Sequence, residues 1–358
     1  MAKSKKTALQ ETDGVSISEI TGFNSIENLK NKRSKTLKTD ALISGILNQD
    51  ITALSRAITL VESKNHKHLE KANTIIKACL PHANKSFRIG ITGVPGVGKS
   101  TFIETFGKHL TNLGKRVAVL AIDPSSTITG GSILGDKTRM EALVKDKNAY
   151  IRPSASGDSL GGVARKTRET ITLCEAAGFD VIIIETVGVG QSETTVHSMV
   201  DFFLLLKLAR AGDELQGIKR GIIEMADTIA INKADGDNLK AAKLAKTEFT
   251  RALHLYPKKT SNWLPKVTLC SAIENKGINS IWDIISDYFE ITTSNNYFNT
   301  KRNEQNKFWL IQTIEEHLKS EFFNEPKIQT ELKKQLKLIE TNKTTPFTAA
   351  DYLLNLKR

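Results

Sequence analysis

The sequence predicts an α/β fold: a mainly parallel sheet with helices on both faces. Three observations carry this. Short, largely apolar runs recur at FRIGITG (87–93), RVAVLAID (116–123), DVIIIETVG (180–188), DFFLLLKLA (201–209), TIAINKAD (228–235) and KVTLCSA (266–272). Strands apolar on both faces belong to a parallel sheet covered on both sides. Amphipathic segments lie between most of them, among them 99–116, 163–178 and 239–256; this alternation is the mark of βα units. Finally, Gly93-Val94-Pro95-Gly96-Val97-Gly98-Lys99-Ser100 fits G-x-x-x-x-G-K-[ST] between the first strand and the first of these helices, which makes the sheet that of a P-loop NTPase.

Taken in order, residues 1–36 are polar and read as a loose N-terminal segment. Residues 37–85 read as an N-terminal helical extension, because ALISGILNQDITALSRAITLVES and HLEKANTIIKACL place apolar residues at three- and four-residue steps before Pro81 ends the pattern. The P-loop domain is expected over 86–293. Residues 294–358 are helical again, through KFWLIQTIEEHLKSEFF and IQTELKKQLKLIE.

Composition excludes several classes. With 39% hydrophobic and 25% charged residues, the chain can bury an ordinary core. A formal charge of +12 raises a nucleic-acid reading. The lysines are scattered, however, with no like-charge block and no aromatic-rich basic strand, so the expectation is a solvated surface and no nucleic-acid partner. Three distant cysteines, Cys79, Cys174 and Cys270, suggest a reducing compartment and argue against disulfides or structural zinc. His66 and His68 sit among charges that favour an exposed helix over a metal site. The N-terminus lacks a signal-peptide core, and DFFLLLKLA is too short to span a bilayer. A cytoplasmic protein without a membrane partner is expected.

Each residue of the phosphate loop has a physical reason. Glycines let successive N–H groups face a phosphate, and the following helix adds its positive end. Lys99 can reach the β- and γ-phosphates, and the Ser100 hydroxyl can bind Mg²⁺. Asn232-Lys233-Ala234-Asp235 matches N-K-x-D at a later strand end. The two Asp235 carboxylate oxygens can accept from the guanine ring N–H and its exocyclic amine, donors that adenine does not present on that edge. Asn232 can contact the base and brace the loop, and the Lys233 stem can lie against the base. Cys270-Ser271-Ala272-Ile273 ends the next strand and fits a weaker guanine loop, in which a backbone N–H meets the base carbonyl. Together these residues indicate GTP and GDP as ligands. For the metal, Asp123 ends one strand and Glu185 another. Glu185-Thr186-Val187-Gly188 stands where many GTPases have D-x-x-G, and Mg²⁺ keeps enough waters for the longer Glu to serve directly or through water. Gly188 is then the candidate sensor of the γ-phosphate. Asp136 lies on a long loop and, taken alone, reads as a solvated acid.

Several long segments resemble the MeaB/ArgK family: LSRAITLVES, VAVLAIDPSSTITGGSILGDKTRM, AYIRPSASGDSLGGVARKTRETI, DVIIIETVGVGQSE and AGDELQGIKRGIIEMAD. The resemblance covers roughly 40–290. It implies a GTPase that acts as a chaperone of an adenosylcobalamin-dependent acyl-CoA mutase, most readily methylmalonyl-CoA mutase, gating cofactor delivery and protecting the enzyme. It also implies a homodimer built with the terminal helices. By position, the nucleotide site is Gly93 to Thr101, Asp235 and Ser271 to Ile273, and the metal side is Ser100, Asp123, Asp136 and Glu185. Segment 208–219 falls at an extra switch that responds to the mutase, with Lys219 as its candidate coupling residue. Lys207 and Arg210 depart from the apolar strand end expected there, which bears on the choice of partner. A nickel-inserting GTPase and a nucleotide-dependent kinase remain alternatives. The first would need Cys or His clusters, and the second adenine selectivity.

Overall fold

The computed structural model describes residues 38–63, 65–122, 140–153, 160–186, 192–209 and 220–356. Among these, seven strands form one sheet: β1 (Phe87–Gly93), β2 (Val117–Ile122), β3 (Ala149–Arg152), β4 (Val181–Thr186), β5 (Phe202–Leu208), β6 (Thr228–Asn232) and β7 (Lys266–Leu269). Their order is β3-β2-β4-β1-β5-β6-β7, and every neighbouring pair is parallel. The parallel α/β expectation holds, with one strand added. β3 is a four-residue edge strand with the sequence AYIR, too short to stand out as an apolar run.

Helices cover both faces. α1 (Thr39–Leu47), α2 (Ile51–Glu62) and α3 (His66–Cys79) precede the sheet. α4 (Lys99–Asn112), α5 (Glu141–Val144), α6 (Leu160–Ala176), α7 (Ser192–His197), α8 (Arg220–Met225) and α9 (Leu239–Leu253) lie between strands. α10 (Ile278–Ser294), α11 (Tyr297–Asn324), α12 (Pro326–Glu340) and α13 (Pro346–Asn355) follow. On one face, Ile89, Ile91, Val119, Ile183 and Leu204 pack with Phe102 and Phe106 of α4 and with Ile281 and Ile285 of α10. On the other, Ile182, Ile184, Phe203 and Leu205 share a core with Ile171 and Cys174 of α6 and with Leu42, Ile46, Leu54 and Ile58 of α1 and α2. The N-terminal helices therefore complete the second face of the sheet. Asp50 caps α2 by accepting from the Thr52 N–H at 2.8 Å, which fixes the sharp α1–α2 corner.

The order places β1 between β4 and β5. The chain leaves β1 toward β2 on one side and later crosses to β5 on the other. Such a switch point opens a crevice at the carboxyl ends of the strands, where ligands of open α/β sheets bind.

The amino-terminal ends of the central strands, opposite this crevice, hold a buried ionic network. Arg88 grips Glu175 of α6 through Nε and Nη2, both at 2.9 Å. Arg302 of α11 grips Asp201 at 2.9 and 2.7 Å and also donates to the Asn84 and Ser86 carbonyls. Asp201 further accepts from the Arg88 N–H at 2.9 Å. This clamp joins α11 to β1, β5 and α6. Burial pushes the Asp201 carboxyl up, but the hydrogen bonds and charge of Arg302 outweigh it and the net shift is down. A depressed carboxyl stabilises the fold above its unfolded pKa, about 3.9, and that contribution is lost as pH falls through the folded value. Arg302→Met is expected to cost about 3–5 kcal/mol at neutral pH, because it leaves a buried charge short of its main partner. It should also move acid unfolding to higher pH. Urea titrations from pH 3 to 7 check both; wild-type stability and an unchanged acid limb would show that the clamp contributes little.

Candidate nucleotide site

The phosphate loop runs from the last residue of β1 into the first turn of α4. Gly93 is required by close approach: a Cβ there would lie 2.6 Å from the Leu206 carbonyl oxygen of β5. Gly98, the N-cap of α4, has φ 90° and ψ 33°, a left-handed conformation that favours glycine. The loop thus turns tightly, and the first N–H groups of α4, which have no partner within the helix, stand at its mouth. Lys99 is buried. Its Nζ donates to the Gly93 carbonyl at 2.8 Å and approaches that of Val94 at 3.4 Å. The ammonium is thereby held against the loop it is expected to serve. Val97 is buried in the α4-side core, whereas Pro95, Gly96 and Thr101 are exposed and Val94 and Ser100 half-buried.

Glu185 lies near the carboxyl end of β4, in register with Ile91 of β1, and is 3% exposed. Val181 and Ile183 pack in the core that contains α4, and strand alternation puts Glu185 on that same face. Beside it, the Thr186 hydroxyl donates to Thr92 Oγ1 at 2.8 Å, joining β4 to the end of β1. Ser100 in the first turn of α4 and Glu185 on the α4 side of β4 each carry a hard oxygen. This fits Mg²⁺, which takes few protein ligands and fills its shell with water and phosphate. Asp123, Asp136, Gly188 and Lys219 lie outside the described residues.

The base-side motif is brought to the same rim. Asn232 Nδ2 donates to the Val97 carbonyl at 2.9 Å, and its Oδ1 accepts from the Ala272 N–H at 3.3 Å. One buried amide therefore ties the phosphate loop to the segment after β7. Lys233 takes a left-handed φ of 57° and donates from Nζ to the Gly96 carbonyl at 2.9 Å, so its stem crosses the loop. Asp235 Oδ2 accepts from the Ser271 hydroxyl at 2.5 Å. Ser271 and Lys276 exchange backbone hydrogen bonds at 2.9 and 3.0 Å and close the loop. Ala272 is buried and Ile273 is 80% exposed. Lys99, Ser100, Asn232, Lys233, Asp235, Ser271 and Ala272 thus converge although they are scattered along the chain.

Two residues outside the motifs also bear on this region. Thr105 of α4 reaches the Ala272 carbonyl at 3.0 Å; its only sequence signal is a place one helical turn after Thr101. Lys207 is 1% exposed, and its Nζ lies 5.6 Å from the centroid of the Phe249 ring of α9. It points into the core, and Arg210 lies outside the described residues.

This arrangement is that of a P-loop GTPase, and comparison supplies the family. The model of the methylmalonyl-CoA mutase-associated GTPase MeaB matches residues 54–327. The chain belongs to the MeaB family. A probable GTPase of Mycobacterium tuberculosis is 48% identical over 320 residues, covering 88% of this chain and 94% of the relative. The mouse mitochondrial methylmalonic aciduria type A homolog is 43% identical over 338 residues, covering 92% of this chain and 81% of the relative. A crystal structure described as a LAO/AO transport system kinase superposes with a TM-score of 0.72 at 36% identity, covering 89% of this chain and 97% of that one. As a member of this family the chain is a GTPase. Among the described residues, no helix is long and apolar enough to cross a membrane.

Proposed function

We propose that this chain hydrolyses GTP to serve an adenosylcobalamin-dependent acyl-CoA mutase, most readily methylmalonyl-CoA mutase, gating delivery of its cofactor and protecting it from inactivation. The observation that carries the reading is the family match, with its mutase-associated GTPases, over a chain in which phosphate-loop and base-side residues meet at one rim. Gly93 to Thr101 hold the phosphates. Asp235 and the backbone of Ser271 to Ile273 read guanine, braced by Asn232 and Lys233. Lys99 stabilises charge that develops on the phosphates. Mg²⁺ would be held by Ser100 and Glu185, together with Asp123 and Asp136, and would neutralise phosphate charge. The solved structural relative is described as a kinase, which raises phosphoryl transfer to an acceptor as a second reading. The Asp235 carboxylate, set beside Ser271 at the strand ends, suits guanine and favours the GTPase reading.

The division of labour follows the chain: a GTPase domain at 86–293, helices 37–85 on its second face, and a dimerisation region at 294–358. The last of these rests on an exposed apolar groove of about 770 Å³ between α11, α12 and α13, lined by Leu318, Phe323, Leu336 and Leu354. A face of this kind is usually covered, and a second copy of the chain is the occupant proposed. Sedimentation velocity should show a two-chain species, and a monomer at micromolar concentration would reject it. The cysteines Cys79, Cys174 and Cys270 are free and buried, in keeping with a cytoplasmic protein, which cell fractionation would check.

The decisive test of function is turnover at saturating GTP with and without purified mutase. Acceleration by the mutase is expected. Lys219→Ala should keep intrinsic turnover within about threefold yet remove most of the acceleration, since a switch acts only through contacts that differ between states. No acceleration of the wild type would overturn the mutase reading. Full acceleration of the variant would remove Lys219 from it.

A further inference from the structure

Thr105 belongs to none of the nucleotide motifs. Its Oγ1 lies 3.0 Å from two carbonyl oxygens, that of Thr101 one turn back and that of Ala272 across the cleft. The local bond is ordinary in helices and recurs at Thr59, Thr74 and Thr250. The contact with Ala272 spans 167 residues and joins the helix of the phosphate loop to the segment after β7.

Its consequence follows from peptide geometry. No peptide bond is cis among the described residues, and in a planar trans peptide the C=O and N–H point in opposite directions. The Ala272 carbonyl is turned toward Thr105 on α4, so the N–H of the same peptide, that of Ile273, is turned away from α4. The described residues give that N–H no acceptor. The preceding N–H, that of Ala272, is taken by Asn232 Oδ1 at 3.3 Å. The loop ends are clamped where Ser271 and Lys276 pair. Between these clamps the Ser271 hydroxyl accepts from the Glu274 N–H at 3.2 Å and tightens the turn, while Thr105 is the side chain that contacts the Ala272–Ile273 peptide itself, through its carbonyl.

We propose that Thr105 is a positioning residue for base recognition: its hydroxyl sets the Ala272–Ile273 peptide so that the Ile273 N–H meets the 6-oxo group of the bound purine. This rests on the reading of Ser271 to Ile273 as a guanine loop. Asp235 would read the ring N–H and the 2-amino group, and Thr105 would govern the other edge. Thr105 would not touch phosphate, so its loss should change affinity and leave the chemical step alone.

The test compares three ligands that differ at the base edge: GDP, inosine diphosphate, which keeps the 6-oxo group and the ring N–H without the 2-amino group, and 2-aminopurine riboside diphosphate, which lacks both the 6-oxo group and the ring N–H. Thr105→Val keeps the shape and β-branching and removes the donor. It is expected to weaken GDP and inosine diphosphate about five- to tenfold, the effect of one hydrogen bond. Binding of the 2-aminopurine nucleotide should stay within about twofold, as should kcat at saturating GTP. Thr105→Ser should restore GDP binding, and Thr105→Ala should repeat the valine pattern if valine disturbs folding. Equal weakening of all three ligands, or none, would overturn the proposal. A wild-type chain that binds the 2-aminopurine nucleotide as tightly as GDP would overturn the guanine-loop reading, and with it the role of Thr105.

Discussion

Replacing Asp235 with Asn is expected to cost the chain its preference for guanine. Asp235 is half-buried and stands just past β6. One of its oxygens already accepts from the Ser271 hydroxyl at 2.5 Å, and an ionised carboxylate keeps room for further donors. Guanine offers two neighbouring donors on that edge, the ring N–H and the amine. Asparagine presents one donor and one acceptor instead, so its amide would face the guanine amine with a like group. Sites built to hydrogen-bond a ligand discriminate by large factors when one partner is changed. The expected result is at least about a hundredfold weaker GDP binding. The variant should also gain for xanthosine diphosphate, whose 2-oxo group accepts what the new amide donates. Titration calorimetry with both nucleotides reads the ratio. An unchanged preference for guanosine over xanthosine would remove Asp235 from the base site. Because the backbone of this turn is pinned by the Ala234 N–H on the Cys270 carbonyl at 3.0 Å, the variant should keep its fold.

Particular residues show where sequence reasoning reached and where it stopped. The strands were legible because a central parallel strand needs apolar residues on both faces, as in VIIIET of β4, which is buried throughout. β3 escaped because an edge strand of four residues carries Tyr and Arg without penalty. The phosphate loop and N-K-x-D were legible because ligand chemistry constrains consecutive residues. The Arg88–Glu175 and Arg302–Asp201 pairs were not, since their partners lie 87 and 101 residues apart and no local spacing records them. Lys207 shows the same limit in another form. A lysine in a strand end reads as a surface charge, yet here its stem is buried beneath α9 with the ammonium facing an aromatic ring. Thr105 looks like any helix threonine until the fold brings Ala272 beside it.

Lys99→Ala is expected to lower GTP turnover by at least about a hundredfold, the usual cost of losing one aimed electrostatic donor. The geometry explains why the loss should fall on chemistry and binding, with folding spared. Lys99 opens α4, and its Nζ is held by the carbonyl of Gly93 at 2.8 Å. The methylene stem thus folds back over the loop, and the charge rests where the first N–H groups of the helix also point. A phosphate at this place would meet both the backbone donors and the ammonium. Removing the ammonium leaves the backbone donors in place, so weakened nucleotide binding should survive while stabilisation of developing charge is lost. The apolar core of α4 is made by Phe102, Ile103, Phe106 and Leu110, none of which depends on the ammonium, so the melting temperature should move by no more than a few degrees. Single-turnover hydrolysis at saturating GTP separates the chemical step from binding. A variant that turns over at near-normal rate with a normal melt would mean that the reacting phosphates lie somewhere other than the Gly93–Ser100 loop, and the assignment of Ser100 and Glu185 to the metal would fall with it.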